Sequence, residues 1–259
     1  MYGVGGERWL PEEIVPWLPG YESSGPVRIG NDASRQLQLD VFGEVFDTMF
    51  QAVKAGMAPS ERGRALRPVV LEYLSTAWRQ PDQGLWEVRS GPQHRILRGS
   101  EGVAHFVHSK VMAWVAFDRA AKGVAEGAYD ESEQRWRESA DEIHAQVCER
   151  GFDRELNSFV QAYGSKRLDA GLLLIPLVGF LPASDPRVQG TLRAVEDKLL
   201  IDGEFVLRYE LENPDDGLPE GEGAFLACSF WLVDNYIKVA FATLNLRTIQ
   251  PYARISKPL

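Results

Sequence analysis

The sequence predicts an all-α protein whose helices stand in two concentric rings. Long segments with apolar residues at three- and four-residue steps follow one another, separated by breakers, with only scraps of strand pattern between them. Some of these segments, residues 109–125, 168–181 and 224–236, are apolar nearly all round, and they alternate with amphipathic ones, residues 131–150 and 187–200. An inner-ring helix is buried on both faces and an outer one on a single face, so the alternation is what a double ring requires. A chain of 259 residues with 44% hydrophobic content can bury such a core. The pattern yields seven helices, and a closed ring of paired helices needs an even number. The ring is therefore expected to be incomplete.

Residues 1–35 are rich in Pro, Gly and Trp, with no sustained period. Trp17-Leu-Pro-Gly-Tyr21 and the stretch to Arg28-Ile-Gly-Asn31 read as a long ordered loop, a kind that more often serves function than structure. The first helix is expected over residues 34–55, on Phe42, Val45, Phe46, Met49, Phe50 and Val53, with Gly56 as its stop. Ser60 caps the second, whose stripe is Leu66, Val69, Val70, Tyr73, Leu74, Ala77 and Trp78. Pro68 falls early in it, where it does less damage. After Gln80-Pro-Asp-Gln-Gly84 and an irregular stretch to His108 comes the third helix, residues 109–125. The fourth, residues 131–150, buries Trp136, Ala140, Ile143 and Val147 and stops at Gly151.

Residues 159–163 form a short extended piece, and residues 168–181 a fifth helix that Pro176 kinks or restarts. Asp185-Pro186 opens the sixth, on Val188, Leu192, Val195 and Leu199. Residues 205–209 alternate like a strand, and residues 213–223 make an acidic, turn-rich loop. The last helix begins near Ala224 and carries Phe225, Leu226, Phe230, Trp231 and Val233. No helical stripe is sustained past Phe241, and the final 25 residues hold Lys238, Arg247, Arg254 and Lys257 but no Asp or Glu. This shift sets a boundary between a main domain, residues 1–236, and a divergent basic tail, residues 237–259.

Composition excludes several classes. A net charge of −9 argues against nucleic acid, which needs a basic face. No apolar run reaches the length of a membrane span, and no secretory leader pattern opens the chain, so the expectation is a cytoplasmic, soluble protein. Cys148 and Cys228 make neither a disulfide framework nor a zinc-type spacing. His105 and His108 have a chelating step, but nothing completes a ligand set, so no metal is expected. Asp215-Asp216 reads as a solvated turn, and Gly-Ser-Glu-Gly at 99–102 lacks the Lys of a phosphate loop. No cofactor is implied.

The chemistry points to Gly84-Leu-Trp-Glu-Val-Arg89, on a loop at a helix end. Indole offers a flat apolar face to a pyranose, Glu87 can deliver a proton, and Arg89 can fix a hydroxyl or orient that carboxyl. A Trp anchoring a loop beside a surface Glu/Arg pair is the competing reading of these six residues.

Other motifs decide it: Trp17-Leu-Pro-Gly-Tyr21, Gln36-Leu-Gln-Leu-Asp40-Val-Phe-Gly-Glu44, His108-Ser-Lys-Val-Met-Ala-Trp114, Pro176-Leu-Val-Gly-Phe-Leu-Pro182 and Gly221-Glu-Gly-Ala-Phe-Leu-Ala-Cys-Ser-Phe-Trp231. With these, the chain resembles the bacterial glycoside hydrolases of family 15, the glucoamylase and trehalase-like enzymes, from Met1 to about Tyr236. The resemblance implies an (α/α)6 barrel, the six-hairpin toroid, and inverting hydrolysis of α-glucosidic bonds without a cofactor. The implied partner is an α-glucoside, a maltooligosaccharide or trehalose.

By the same resemblance Glu87 matches the general acid and Trp86 a sugar-contacting aromatic. Arg28 and Asn31 resemble residues lining the glucose site, and Arg208-Tyr209 an arginine motif that holds sugar hydroxyls. His108, Lys110 and the loop of Glu222 fall in motifs near the pocket. Inversion needs a second carboxylate to activate water. Glu222 is a weak candidate, since an acid at a helix start is favoured by the dipole alone.

The sequence also departs from the family. A Leu-Arg-Asp motif and a β-sandwich that belong upstream are absent, a longer segment lies between Pro92 and His105, and the motif carrying the family's base does not follow Tyr236. The expectation is a truncated catalytic domain with low or no activity alone, associating with itself through open barrel edges. The alternatives are an inactive carbohydrate-binding remnant and a helical interaction module.

Overall fold

The structure is a computed structural model that describes residues 3–87, 103–210 and 224–243. Seven α-helices lie among the described residues: α1 (Asp40–Lys54), α2 (Glu61–Ala77), α3 (Val107–Ala125), α4 (Glu133–Arg150), α5 (Leu174–Leu177), α6 (Pro186–Leu199) and α7 (Leu226–Thr243). Three antiparallel two-stranded ribbons join them: β1 (Glu13–Ile14) with β2 (Arg28–Ile29), β3 (Phe152–Asp153) with β4 (Ser158–Phe159), and β5 (Leu200–Ile201) with β6 (Phe205–Val206). None of the described helices is long and apolar enough to cross a membrane.

The centre is α3. Residues 107–117 are buried without interruption, as an inner helix should be, and α3 packs between α1 on one side and α4 on the other. Gly43 permits the close approach of α1: a Cβ there would lie 2.3 Å from the carbonyl oxygen of Met112. The outer helices follow their caps. Ser60 accepts from the amide of Gly63 at 3.1 Å, Ser132 from that of Arg135 at 3.3 Å and Asp185 from that of Arg187 at 2.9 Å. On α4 and α6 the predicted residues are the buried ones.

Three expectations need correction. The first helix starts at Asp40 rather than residue 34, after a 3-10 turn, Asp32–Arg35, capped by Asn31. The intervening backbone is bound elsewhere: the Leu37 amide donates to Gln83 Oε1 at 2.9 Å, the Leu39 amide to Asp82 Oδ2 at 3.1 Å, and the Gln83 amide to Leu37 O at 3.1 Å. Helix and cross-chain pairing compete for the same donors, and the pairing wins.

The stripe on α2 divides. Leu71, Leu74, Ala77 and Trp78 are buried, whereas Leu66 and Val69 are 61% and 64% exposed, and Arg67 goes inside. Its guanidinium meets Glu131 Oε1 at 2.5 Å and Ala120 O at 2.8 Å and lies 3.8 Å over the Tyr129 ring, so the buried charge is paired.

The expected fifth helix is only a 3-10 turn, Ala170–Leu173, running into the four residues of α5. At its start Asp169 pairs with Tyr209, and at its end Pro176 offers no amide to extend the ladder. On the last helix, α7 continues unbroken through residues 236 and 237 to Thr243. Residues 244–259 lie outside the described part.

Candidate active site

The loop leaving α2 is held by polar groups buried beneath it. Lys110 is completely buried, and its ammonium donates to the carbonyls of Trp78 at 2.6 Å and Gln80 at 2.5 Å, the exposed acceptors of a helix end. Burial pushes this lysine down to about 8, with Asp82 opposing. Asp82 exchanges both backbone hydrogen bonds with Ala104 at 2.9 Å, and burial raises its carboxyl to about 6 against the Leu39 amide and the Lys110 charge.

On this base the chain turns through Gly84 to Glu87, closed by the Glu87 amide on Gly84 O at 3.2 Å. Gly84 has φ +69°, and a Cβ would sit 2.8 Å from the Phe106 ring, so only glycine fits. Glu87 itself has φ 52°, in the left-handed region that a glutamate rarely occupies. Two glutamines hold it there. Gln36 Nε2 donates to Glu87 O at 3.2 Å, and Gln38 Nε2 to Glu87 Oε1 at 3.1 Å.

Trp86, half-buried beside it, is held by residues far along the sequence. Its Nε1 donates to Asp169 Oδ2 at 3.1 Å. Tyr209 presents its edge at 6.2 Å between centroids, Trp231 of α7 lies tilted at 6.4 Å, and the Arg208 guanidinium is 5.7 Å from the indole. Asp169 pairs with Tyr209, and the Ala170 amide donates to Arg208 O at 2.8 Å, so one backbone junction aims all three groups at Trp86. Burial lifts the Asp169 carboxyl to about 7, opposed by Trp86, Gln161 and the amides of Gly171 and Leu172. A carboxyl next to a half-buried indole and a guanidinium can hold a sugar ring and protonate an oxygen on it.

Of the residues expected at the site, Trp86, Glu87, Arg208 and Tyr209 come together. His108 lies behind them, fully buried next to Gly171; burial lowers its pKa and leaves it neutral despite Asp40. Lys110, expected among the sugar contacts, is buried with its ammonium on the carbonyls of Trp78 and Gln80. Arg28 ion-pairs with Glu12 at 3.0 Å on its own ribbon, and Asn31 caps a turn through the Ala33 amide at 2.8 Å. Neither shares a described contact with the Trp86 cluster. Arg89 and Glu222 lie outside the described residues.

The sequence reading missed Asp169, Asp82 and the glutamine pair. Asp169 is the single charged residue in the run 168–181. The alternation Gln36-Leu-Gln-Leu39 is a period of two that puts both amides on one face. No group of three or more His, Cys, Asp or Glu among the described residues is placed to hold a metal.

The sequence pattern of the family described as glycosyl hydrolases family 15 matches residues 1–249. A trehalase of Mycobacterium tuberculosis is 42% identical over 262 residues, covering 100% of this chain and 36% of the trehalase. A trehalase of Mycolicibacterium smegmatis is 45% identical over 243 residues, covering 92% of this chain and 34% of that one. The chain thus spans about a third of the length of these relatives. Among solved structures, a wild-type glycosidase superposes with a TM-score of 0.66 at 21% identity, over 87% of this chain and 57% of that one. A variant glycosidase in complex with glucose gives the same values. The chain belongs to glycosyl hydrolases family 15, and its helices form part of the six-hairpin toroid.

Proposed function

We propose that this chain carries the acid side of the active site of an inverting hydrolase of α-glucosidic bonds. The observation that supports it is the Gly84–Glu87 turn, which sets a half-buried carboxyl beside an indole faced by Arg208 and Tyr209. In this reading Trp86 and Arg208 seat the glucosyl unit, and Glu87 protonates the departing glycosidic oxygen. Gln38 occupies one carboxyl oxygen and leaves the other to carry the proton. The names of the relatives favour trehalose over a maltooligosaccharide.

Inversion also needs a water-activating carboxylate, with the two carboxyl groups roughly 6.5–9.5 Å apart. Besides its neighbour Glu87, the one carboxylate among the described contacts of Trp86 is Asp169, which is buried. The reading therefore includes slow hydrolysis by the chain alone, with Glu222 the weaker candidate for that second role. It also includes self-association through the exposed apolar faces of α1, α2 and α7.

The test is glucose release from trehalose, maltose and an aryl α-glucoside, beside tryptophan-fluorescence titration with each sugar. Azide is added as a nucleophile that needs no general base. Glu87→Gln is expected to bind sugar as the wild type does and to lose turnover by about 10²-fold or more. Sugar binding with turnover indifferent to Glu87→Gln would mean a binding remnant. A chain that binds none of these sugars would end the proposal.

A further inference from the structure

Asp169 is 3% exposed and stands at the N-cap of a 3-10 turn, Ala170–Leu173, whose amides at Gly171 and Leu172 favour its charged form. The same carboxylate accepts from Trp86 Nε1, 83 residues away in sequence. A buried carboxylate is costly to keep, and this one ties the turn to a distant indole. Trp86 is the residue before Glu87, inside a turn whose Glu87 backbone is strained at φ 52°. Such a conformation persists only when its surroundings over-determine it. On one side Gln36 and Gln38 do so, and on the other the indole anchor does.

We propose that Asp169 is a positioning residue for the acid turn: its buried carboxylate holds the Trp86 indole, and through it the orientation of Glu87. The proposal rests on the reading of Glu87 as the acid, but the contact itself is testable without any sugar. The charged and titratable groups near Asp169 come from the elements packed on it: Arg208 and Tyr209 from the bridged segment, His108 from α3 and Cys228 from α7, with Glu87 next to Trp86 on the acid turn. Burial holds His108 neutral and pushes the Cys228 thiol up to about 12, so neither changes charge near neutrality. A charge change at Asp169 would register at the indole N–H, which donates to it.

The experiment uses the whole chain with ¹⁵N-labelled tryptophan, followed by nuclear magnetic resonance from acid to alkaline pH. The Trp86 indole signal is assigned by its loss in Trp86→Phe. In the wild type that signal should move with a midpoint near the raised value of about 7. In Asp169→Asn, which keeps an acceptor oxygen but no charge, it should stay downfield and cease to titrate, with trehalose affinity within about threefold of wild type. In Asp169→Leu the signal should shift upfield and affinity fall by about tenfold or more, while the other indole signals stay in place.

A wild-type signal that does not titrate, or that still titrates in Asp169→Asn, overturns the proposal. So does Asp169→Leu with wild-type affinity and an unmoved indole. Should Asp169→Leu fail to fold, the titration in Asp169→Asn decides alone. A titrating indole in a chain that binds no α-glucoside would uphold the Asp169–Trp86 contact and refute the glycosidase reading.

Discussion

Glu87 bears a cost that its neighbours offset. A non-glycine residue in the left-handed region is disfavoured by roughly 1 kcal/mol or more, so Glu87→Gly should stabilise the folded chain by about that amount while removing the acid. Urea denaturation reads the first effect and glucoside turnover the second. Asp169 and Asp82 bear a different cost, visible in pH. Folded, they hold their protons up to about 7 and about 6, against an ordinary value of 3.8. A carboxyl whose folded pKa is raised binds more protons in the native state, so its contribution to stability is full below its unfolded value and is lost as pH climbs to the folded one. Melting temperature should therefore fall as pH rises from about 4 to about 7, with Asp169 contributing at most roughly 4 kcal/mol of that change. Lys110, lowered from 10.5 to about 8, acts in the opposite sense: the native state binds fewer protons across that interval, and stability returns as pH rises through it. Asp169→Asn should flatten the acid-side slope. Calorimetry on both proteins over the same buffers checks the sign.

At the scale of elements, the acid turn depends on one backbone choice. Gly84→Ala places a Cβ 2.8 Å from the Phe106 ring at φ +69°, and should destabilise by about 1–3 kcal/mol with a larger fractional loss of turnover than of sugar affinity. The elements that local sequence decides were legible beforehand. On α4 and α6 the cap and the repeating apolar face are contiguous in sequence, and the predicted faces of Trp136, Ile143, Val188 and Val195 are buried. Elements decided by distant partners were not. The start of α1 is set by Gln83 and Asp82, more than forty residues on, and the short turn before α5 by Arg208 and Tyr209. The same division runs through the site. Trp86 and Glu87 announced themselves by residue type on a loop, whereas nothing local singles out Asp169, whose partner lies 83 residues upstream. Arg67, which the apolar stripe of α2 does not include, is interior because Glu131, just before α4, and Ala120 of α3 meet it.

At the scale of the whole molecule, three of the described helices carry apolar side chains in water. On α7, Leu226, Phe230, Val233 and Ile237 recur at helical spacing and are exposed, as are Val41 and Val45 on α1 and Leu66, Val69 and Tyr73 on α2. Contiguous apolar patches of this kind favour association. Sedimentation should show species larger than a monomer that dissociate on dilution, and Phe230→Glu together with Ile237→Lys should shift the distribution to monomer. An unchanged distribution would place any contact elsewhere. The burial of α3 has a further outcome in the language of hydrogen exchange. Its backbone amides over residues 111–117 are enclosed by α1, α4 and the turn before α5, so no local fraying gives deuterium a route to them. Those protons should be the last to leave, each at the free energy of complete unfolding, whereas the ends of α2 and α7 empty early. A solution of this protein left in heavy water would thus retain, after every other signal has faded, the outline of the single helix on which the others lean.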